Sequence, residues 1–170
     1  MIKTFGIAVT AAMLLAGPAL AAEKLTVETS KGCSFDIKLR ADLAPKHVAQ
    51  IGKLAAAGFY DGIVFHRVID GFMAQTGDPT GTGTGGSSEP DLPAEFSNAH
   101  YARGTVGMAR SADPNSGNSQ FFVMFDEGGF LDGQYTVWGE VDAAGMACVD
   151  KIERGEPPAN PDKMVKVKMQ

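Results

Sequence analysis

The stretch FHRVIDGFMAQ, residues 65–75, sets an arginine inside a run that otherwise reads as an apolar strand, and it closes on Phe72 and Met73 before Gln75. Strand side chains alternate between faces, so the period predicts His66 and Val68 on one side and Phe65, Arg67 and Ile69 on the other. In FMAQ the same rule pairs Met73 with Gln75, and in SQFFVMF (119–125) it pairs Gln120 with Phe122 while Phe121 points the opposite way. If these strands are neighbours, one outer surface gathers Arg67, Met73, Gln75, Gln120 and Phe122. Periodicity alone favours the plainer reading, an ordinary solvated Arg67 with the Met and Phe side chains in the core.

Working outward, KLTVET and CSFDIKLR alternate apolar and polar residues across Ser30-Lys31-Gly32, the pattern of a hairpin. APKHVAQIGKLAAAGFY carries Pro45 near its start and apolar residues at Val48, Ile51, Leu54 and Ala55, which predicts a helix ending near Gly58. GIVFHRVI, FMAQTGD, GTVGMAR, SQFFVMF and YTVWGEV are short β-rich runs bounded by Gly, Pro, Asp and Asn. AAGMACVDKIERG predicts a second helix with Gly155 as its stop, and MVKVKM alternates again. About eight short strands and two helices predict a mainly β domain, an antiparallel sheet closed into a barrel and capped by the helices. An open sheet is the alternative that the pattern leaves standing.

The N-terminal residues MIKTFGIAVTAAMLLAGPALAAEK combine Lys3, an apolar stretch and the small-residue end Ala19-Leu20-Ala21. This is the pattern of a secretory signal over residues 1–21, followed by one domain over residues 22–170, with the periplasm as the expected destination. The apolar stretch is shorter than the roughly 20 residues of a membrane-spanning helix, so membrane insertion is not expected. Acidic residues number 20 against 15 basic ones, without a Lys/Arg cluster, which argues against nucleic acid as a partner. The two cysteines, Cys33 and Cys148, are either one bridge of an exported protein or two buried thiols. Neither has metal-ligand spacing to His47, His66 or His100, so no metal is expected.

Two motifs are excluded by context. Gly81, Gly83 and Gly86 satisfy G-x-G-x-x-G, but SSEPDLP follows where a phosphate-binding helix has to begin, so a cofactor is not expected and the segment reads as a surface loop. There is no G-x-S-x-G elbow to support a hydrolase, and His66 reads as a packed core or rim residue.

FHRVIDGFMAQTGD, GTVGMAR, NSQFFVMF and FLDGQYTVWGEV, in that order, closely resemble the cyclophilin-type peptidyl-prolyl cis-trans isomerases from about Leu25 to Met169. The resemblance implies an eight-stranded barrel capped by two helices, with the active site on an outer face. It implies that Arg67 is the catalytic arginine and that Phe72, Met73, Phe122 and Leu131 form a proline pocket. Gln75, Ala109 and Gln120 would hold the substrate backbone, with Arg110, Phe130 and Tyr135 completing the substrate-binding surface. Four departures stand out. Phe130 replaces the Trp of well-known eukaryotic members, Tyr135 their His and Arg110 their Asn, and one extra residue lies near Asp113 between Ala109 and Gln120. Without the Trp, weak cyclosporin binding is implied. The expected partners are proline-containing polypeptides, the folding clients of an exported isomerase. A module that holds proline peptides without turning them over is the competing reading, and it has less need of Arg67 and Gln75.

Overall fold

The computed structural model describes residues 23–170, so the signal read at residues 1–21 lies outside the described residues. β1 (Lys24–Thr29) and β2 (Ser34–Leu39) form the predicted hairpin, with Leu25 opposite Ile37 and Val27 opposite Phe35. Those four side chains are buried, whereas Lys24 and Asp36 meet outside in an ion pair at 2.7 Å. The period-2 pattern has thus become two faces, one apolar and one wet.

The chain continues through α1 (Pro45–Ala56), β3 (Arg67–Ile69), β4 (Met73–Thr76), β5 (Thr105–Met108), β6 (Phe121–Met124), a 3-10 turn at Gly129–Leu131, β7 (Val137–Val141), α2 (Ala143–Val149) and β8 (Met164–Met169). All eight strands join one antiparallel sheet in the order β3-β4-β6-β5-β7-β2-β1-β8. The closed barrel expected from the sequence is not what forms: the sheet curls through 226° as an open half-barrel. β3 and β8 face each other across a seam joined by irregular bonds such as Phe65 N–H to Asp162 O at 2.8 Å and Met164 N–H to Ile63 O at 2.9 Å. Pro157, Pro158 and Pro161 lie in the segment that crosses the seam, and proline has no N–H to give to a ladder.

The same seam corrects the alternation read across residues 65–69. Regular strand begins only at Arg67, and Phe65, tied to Asp162, turns into the core beside Val68 instead of lying on the Arg67 face. His66, expected with Val68, is buried against the loop at Gly83 and lines the same groove as Arg67.

The helices close the inner face. α1 begins at Pro45, whose missing N–H costs nothing at a helix start. Its first free donors, the N–H groups of Lys46 and His47, are taken at 3.1 and 3.0 Å by the Glu95 carboxylate from a distant loop. α2 is shorter than the sequence predicts. Asp142 caps its start by accepting from Gly145 N–H at 2.7 Å, but the helix stops at Val149, well before Gly155. Gly155 answers a different need, because a Cβ there would fall 2.5 Å from the Cα of Pro158 where the chain doubles back. Cys33 and Cys148 form a disulfide that ties the start of β2 to α2. No described helix is long and apolar enough to cross a membrane.

Candidate active site

Strand order and register place the predicted residues. Arg67 on β3 stands opposite Gln75 on β4, Gln75 opposite Phe122 on β6, and Phe122 opposite Gly107 on β5. The assumed adjacency of the three strands therefore holds. Arg67 and Phe122 lie two strands apart, about 10 Å at the usual interstrand spacing.

The sheet has an apolar cluster on each side. Phe121 belongs to the inner one, edge-on to Tyr60 and Trp138. Phe122 belongs to the outer one, with Met73, Tyr101, Met124, Leu131 and Val137, and against these pack Phe72, Ala109 and Tyr135. Phe122 stacks on Tyr101 and meets Tyr135 edge-on, both with centroids 5.9 Å apart. Phe130, 65% exposed, leans over Phe72 at 5.5 Å. Gly107 is what lets these rings come down onto the sheet: a Cβ there would sit 2.5 Å from both Phe122 Cζ and Tyr101 Oη.

Beside this apolar platform the surface turns polar. Gln75 donates to Gln120 at 2.9 Å, and Gln120 donates to the Gly83 and Gly85 carbonyls at 3.1 and 2.8 Å. The glycine loop at 81–86, which no helix follows, is folded around Asp78, whose side chain accepts from the N–H groups of Thr80, Gly83 and Gly85 and from the Thr80 hydroxyl. Burial works against the Asp78 charge. The Thr80 hydroxyl and those backbone donors outweigh it and bring the carboxyl down to about 2. Gln75, Gln120, Ala109 and Arg110 line a groove of about 630 Å³ along this loop.

Arg110 lies over the Tyr135 ring, 4.3 Å from its centroid, and donates to the Gln134 and Ser111 carbonyls. Its guanidinium is thereby occupied with its own surroundings. The extra residue near Asp113 is absorbed in a tight turn, in which Ser111 N–H donates to Ser116 Oγ at 2.8 Å and Asn115 N–H to Asp113 Oδ1 at 2.8 Å. The Ala109 N–H keeps its bond to the Gln120 carbonyl at 2.9 Å, so the insertion leaves that pairing intact.

Arg67 lines a second groove of about 400 Å³ with His66, Gln75, Gly83 and Glu156. Gln75, directly across the strands from Arg67, is committed to Gln120, and Arg67 Nε donates instead to Glu156 Oε1 at 2.7 Å. His66 is 6% exposed with neither ring nitrogen hydrogen-bonded among the described residues, and its burial lowers its pKa, an effect that nearby Asp78 opposes. The burial agrees with the packed core or rim residue that the sequence predicts.

Sequence reasoning missed Tyr101, Met124, Gly107 and Glu156. A glycine inside the strand GTVGMAR is a signal of close approach and points to Gly107. Tyr101 and Glu156 lie in segments without strand period.

The curved antiparallel sheet, open at one seam and packed by two helices, defines a class of fold, that of cyclophilin structures. One from Hirschia baltica superposes with a TM-score of 0.79 at 32% identity, covering 87% of this chain and 74% of that one. A Cryptosporidium parvum cyclophilin, determined in the presence of the dipeptide Ala-Pro, gives 0.78 at 26% identity over 86% of this chain and 98% of its own. Among curated proteins, a probable peptidyl-prolyl cis-trans isomerase of Brucella suis is 58% identical, with 76% of this chain and 74% of that protein covered. Peptidyl-prolyl cis-trans isomerase-like 1 of Emericella nidulans is 39% identical over 77% of this chain and 82% of its own. The family model described as cyclophilin type peptidyl-prolyl cis-trans isomerase matches residues 24–169, and the chain belongs to that family of enzymes.

Proposed function

We propose that this chain accelerates rotation about X–Pro bonds in exported polypeptides without covalent chemistry, using Arg67 as donor and the Met73–Phe122–Leu131 platform as the seat of the proline ring. The observation that carries the reading is the row Arg67–Gln75–Phe122, which puts a permanent cation and a ring-sized apolar surface on one face.

The amide barrier of roughly 18–20 kcal/mol comes from resonance between the nitrogen lone pair and the carbonyl. Bringing an exchange of tens to hundreds of seconds down to milliseconds takes about five orders of magnitude, or roughly 7 kcal/mol. The apolar platform holds the pyrrolidine ring and removes water that favours the planar, dipolar form. Mid-rotation the nitrogen turns pyramidal and regains a lone pair, and a fixed donor aimed at it stabilises the twisted state more than either planar one. A charged donor contributes about 1.5–3 kcal/mol, so Arg67 supplies part and the platform and backbone contacts from Gln75, Ala109 and Gln120 supply the rest. Lysine is a poor substitute, because it lacks the planar fork of donors.

The clients are exported proteins, and the periplasm is the compartment that the N-terminal pattern and the Cys33–Cys148 bridge both favour. Phe130, projecting over Phe72 where a larger indole is common in the family, makes cyclosporin a weak ligand. The test is a prolyl-peptide isomerisation assay on Arg67→Ala. A fall of about ten- to a hundredfold in kcat/KM with unfolding unchanged is expected, the equivalent of the lost charged hydrogen bond. An unchanged rate defeats the assignment and leaves a peptide-holding module.

A further inference from the structure

Glu156 lies outside every motif that points to the reaction, yet it is the one hydrogen-bonding side chain that Arg67 meets among the described residues. Its position is fixed by the backbone. Gly155, immediately before it, exchanges two bonds with Val68, the residue after Arg67: Gly155 N–H to Val68 O at 2.7 Å and Val68 N–H to Gly155 O at 2.8 Å. A two-bond clamp one residue away from each partner holds Glu156 beside Arg67 whatever the side chains do. The next residues, with Pro157 and Pro158, have little backbone freedom to let it drift.

The atom used matters. Glu156 Oε1 accepts from Nε, the inner nitrogen of the guanidinium, at 2.7 Å. That bond restricts turning about the Cδ–Nε axis and leaves both terminal nitrogens free for the groove that Gln75 also lines. The side chains are 43% and 52% exposed, so the pair adds little to folding stability, and its effect falls on orientation. A donor that must meet a lone pair present only in the twisted state acts in proportion to the time it spends correctly aimed.

We propose that Glu156 is a positioning residue for Arg67, aiming the guanidinium edge at the imide nitrogen. This rests on the reading of Arg67 as the donor. Glu156→Ala lowers kcat roughly three- to fivefold, the scale of an exposed ion pair, with KM within about twofold. Glu156→Gln, which keeps an acceptor oxygen without the charge, retains most of the rate. In NMR spectra the Arg67 Nε–H resonance shifts or broadens in Glu156→Ala and is largely restored in Glu156→Gln. Glu156→Ala made on top of Arg67→Ala has no further effect. Wild-type kcat in Glu156→Ala, or a raised KM at constant kcat, overturns the proposal, the latter showing a substrate contact instead. Wild-type rates in Arg67→Ala sink the functional reading itself, a separate outcome that the Nε–H signal does not depend on.

Discussion

Phe121 and Phe122 are consecutive residues of one strand and belong to different interiors. Phe121 is locked between Tyr60 and Trp138 inside the half-barrel, under both helices. Phe122 lies in a thinner cluster on the convex side, where the rings packed against it, Phe72 and Tyr135, are only partly buried. One face holds the shape, and the proposed chemistry falls on the other. The difference teaches that a single sheet can keep an open apolar surface separate from its stabilising core by nothing more than alternation.

The sharpest way to probe this division is to damage the inner side alone. The Cys33–Cys148 bridge spans 115 residues of sequence, and Cys148 sits in the inner core. Opening that loop in Cys33→Ser/Cys148→Ser lowers stability by about 4–5 kcal/mol on chain-entropy grounds. The expected result is a lower unfolding midpoint in denaturant with kcat/KM of the folded protein unchanged. A lost rate at full folding breaks the comparison.

Next come the two phenylalanines themselves. Phe121→Ala costs about 3–4 kcal/mol in stability and leaves proline-peptide affinity of the folded fraction near wild type. Phe122→Ala costs less in folding and raises KM, read by calorimetric unfolding beside the isomerisation assay. Equal effects of the two on KM contradict the separation of faces.

The smallest effect concerns the polar flank. Asp78 is 1% exposed and its pKa falls from 3.8 to about 2 on folding. A depressed carboxyl stabilises the fold above its unfolded pKa and loses that contribution as pH drops through the folded value. The contribution is therefore full above about pH 4 and fades toward pH 2, with a ceiling of about 2 kcal/mol. Asp78→Asn removes that acid dependence from stability measured against pH. It also loosens the Gly83–Gly85 carbonyls that Gln120 holds, so a modest rise in KM accompanies it.

What the sequence made legible follows from how local each signal is. β1 and β2 alternate cleanly, because each has one face in the core and one toward water. β6, by contrast, is apolar and buried on both faces, and β8, read as alternating, slips its register against β1 at Glu28–Thr29 and buries only Met164 and Val167. Helix α1 was readable from Pro45 and its apolar period, but its N-terminal partner Glu95 comes from a loop far along the chain. Among the candidate residues, those sharing a strand row were placed by period plus an assumed adjacency. Glu156 was invisible because it reaches Arg67 from 89 residues away, out of a proline-rich turn with no period to read. The failure at Phe65 has the same root. Its orientation is set by a bond to Asp162 across the seam, and nothing in residues 65–69 announces that partner.

The unzipped junction between β3 and β8 gives the molecule an exchangeable part. Residues 155–163 cross it pinned at both ends, by Gly155 against Val68 and by the buried Asp162 side chain, which accepts from Ser30 and from Glu153 N–H, so only the positions between those anchors, Glu156 among them, are open to change. A continuous ladder would have set a strand residue opposite Arg67. Here the charge beside that side chain is chosen at one position of a short crossing segment.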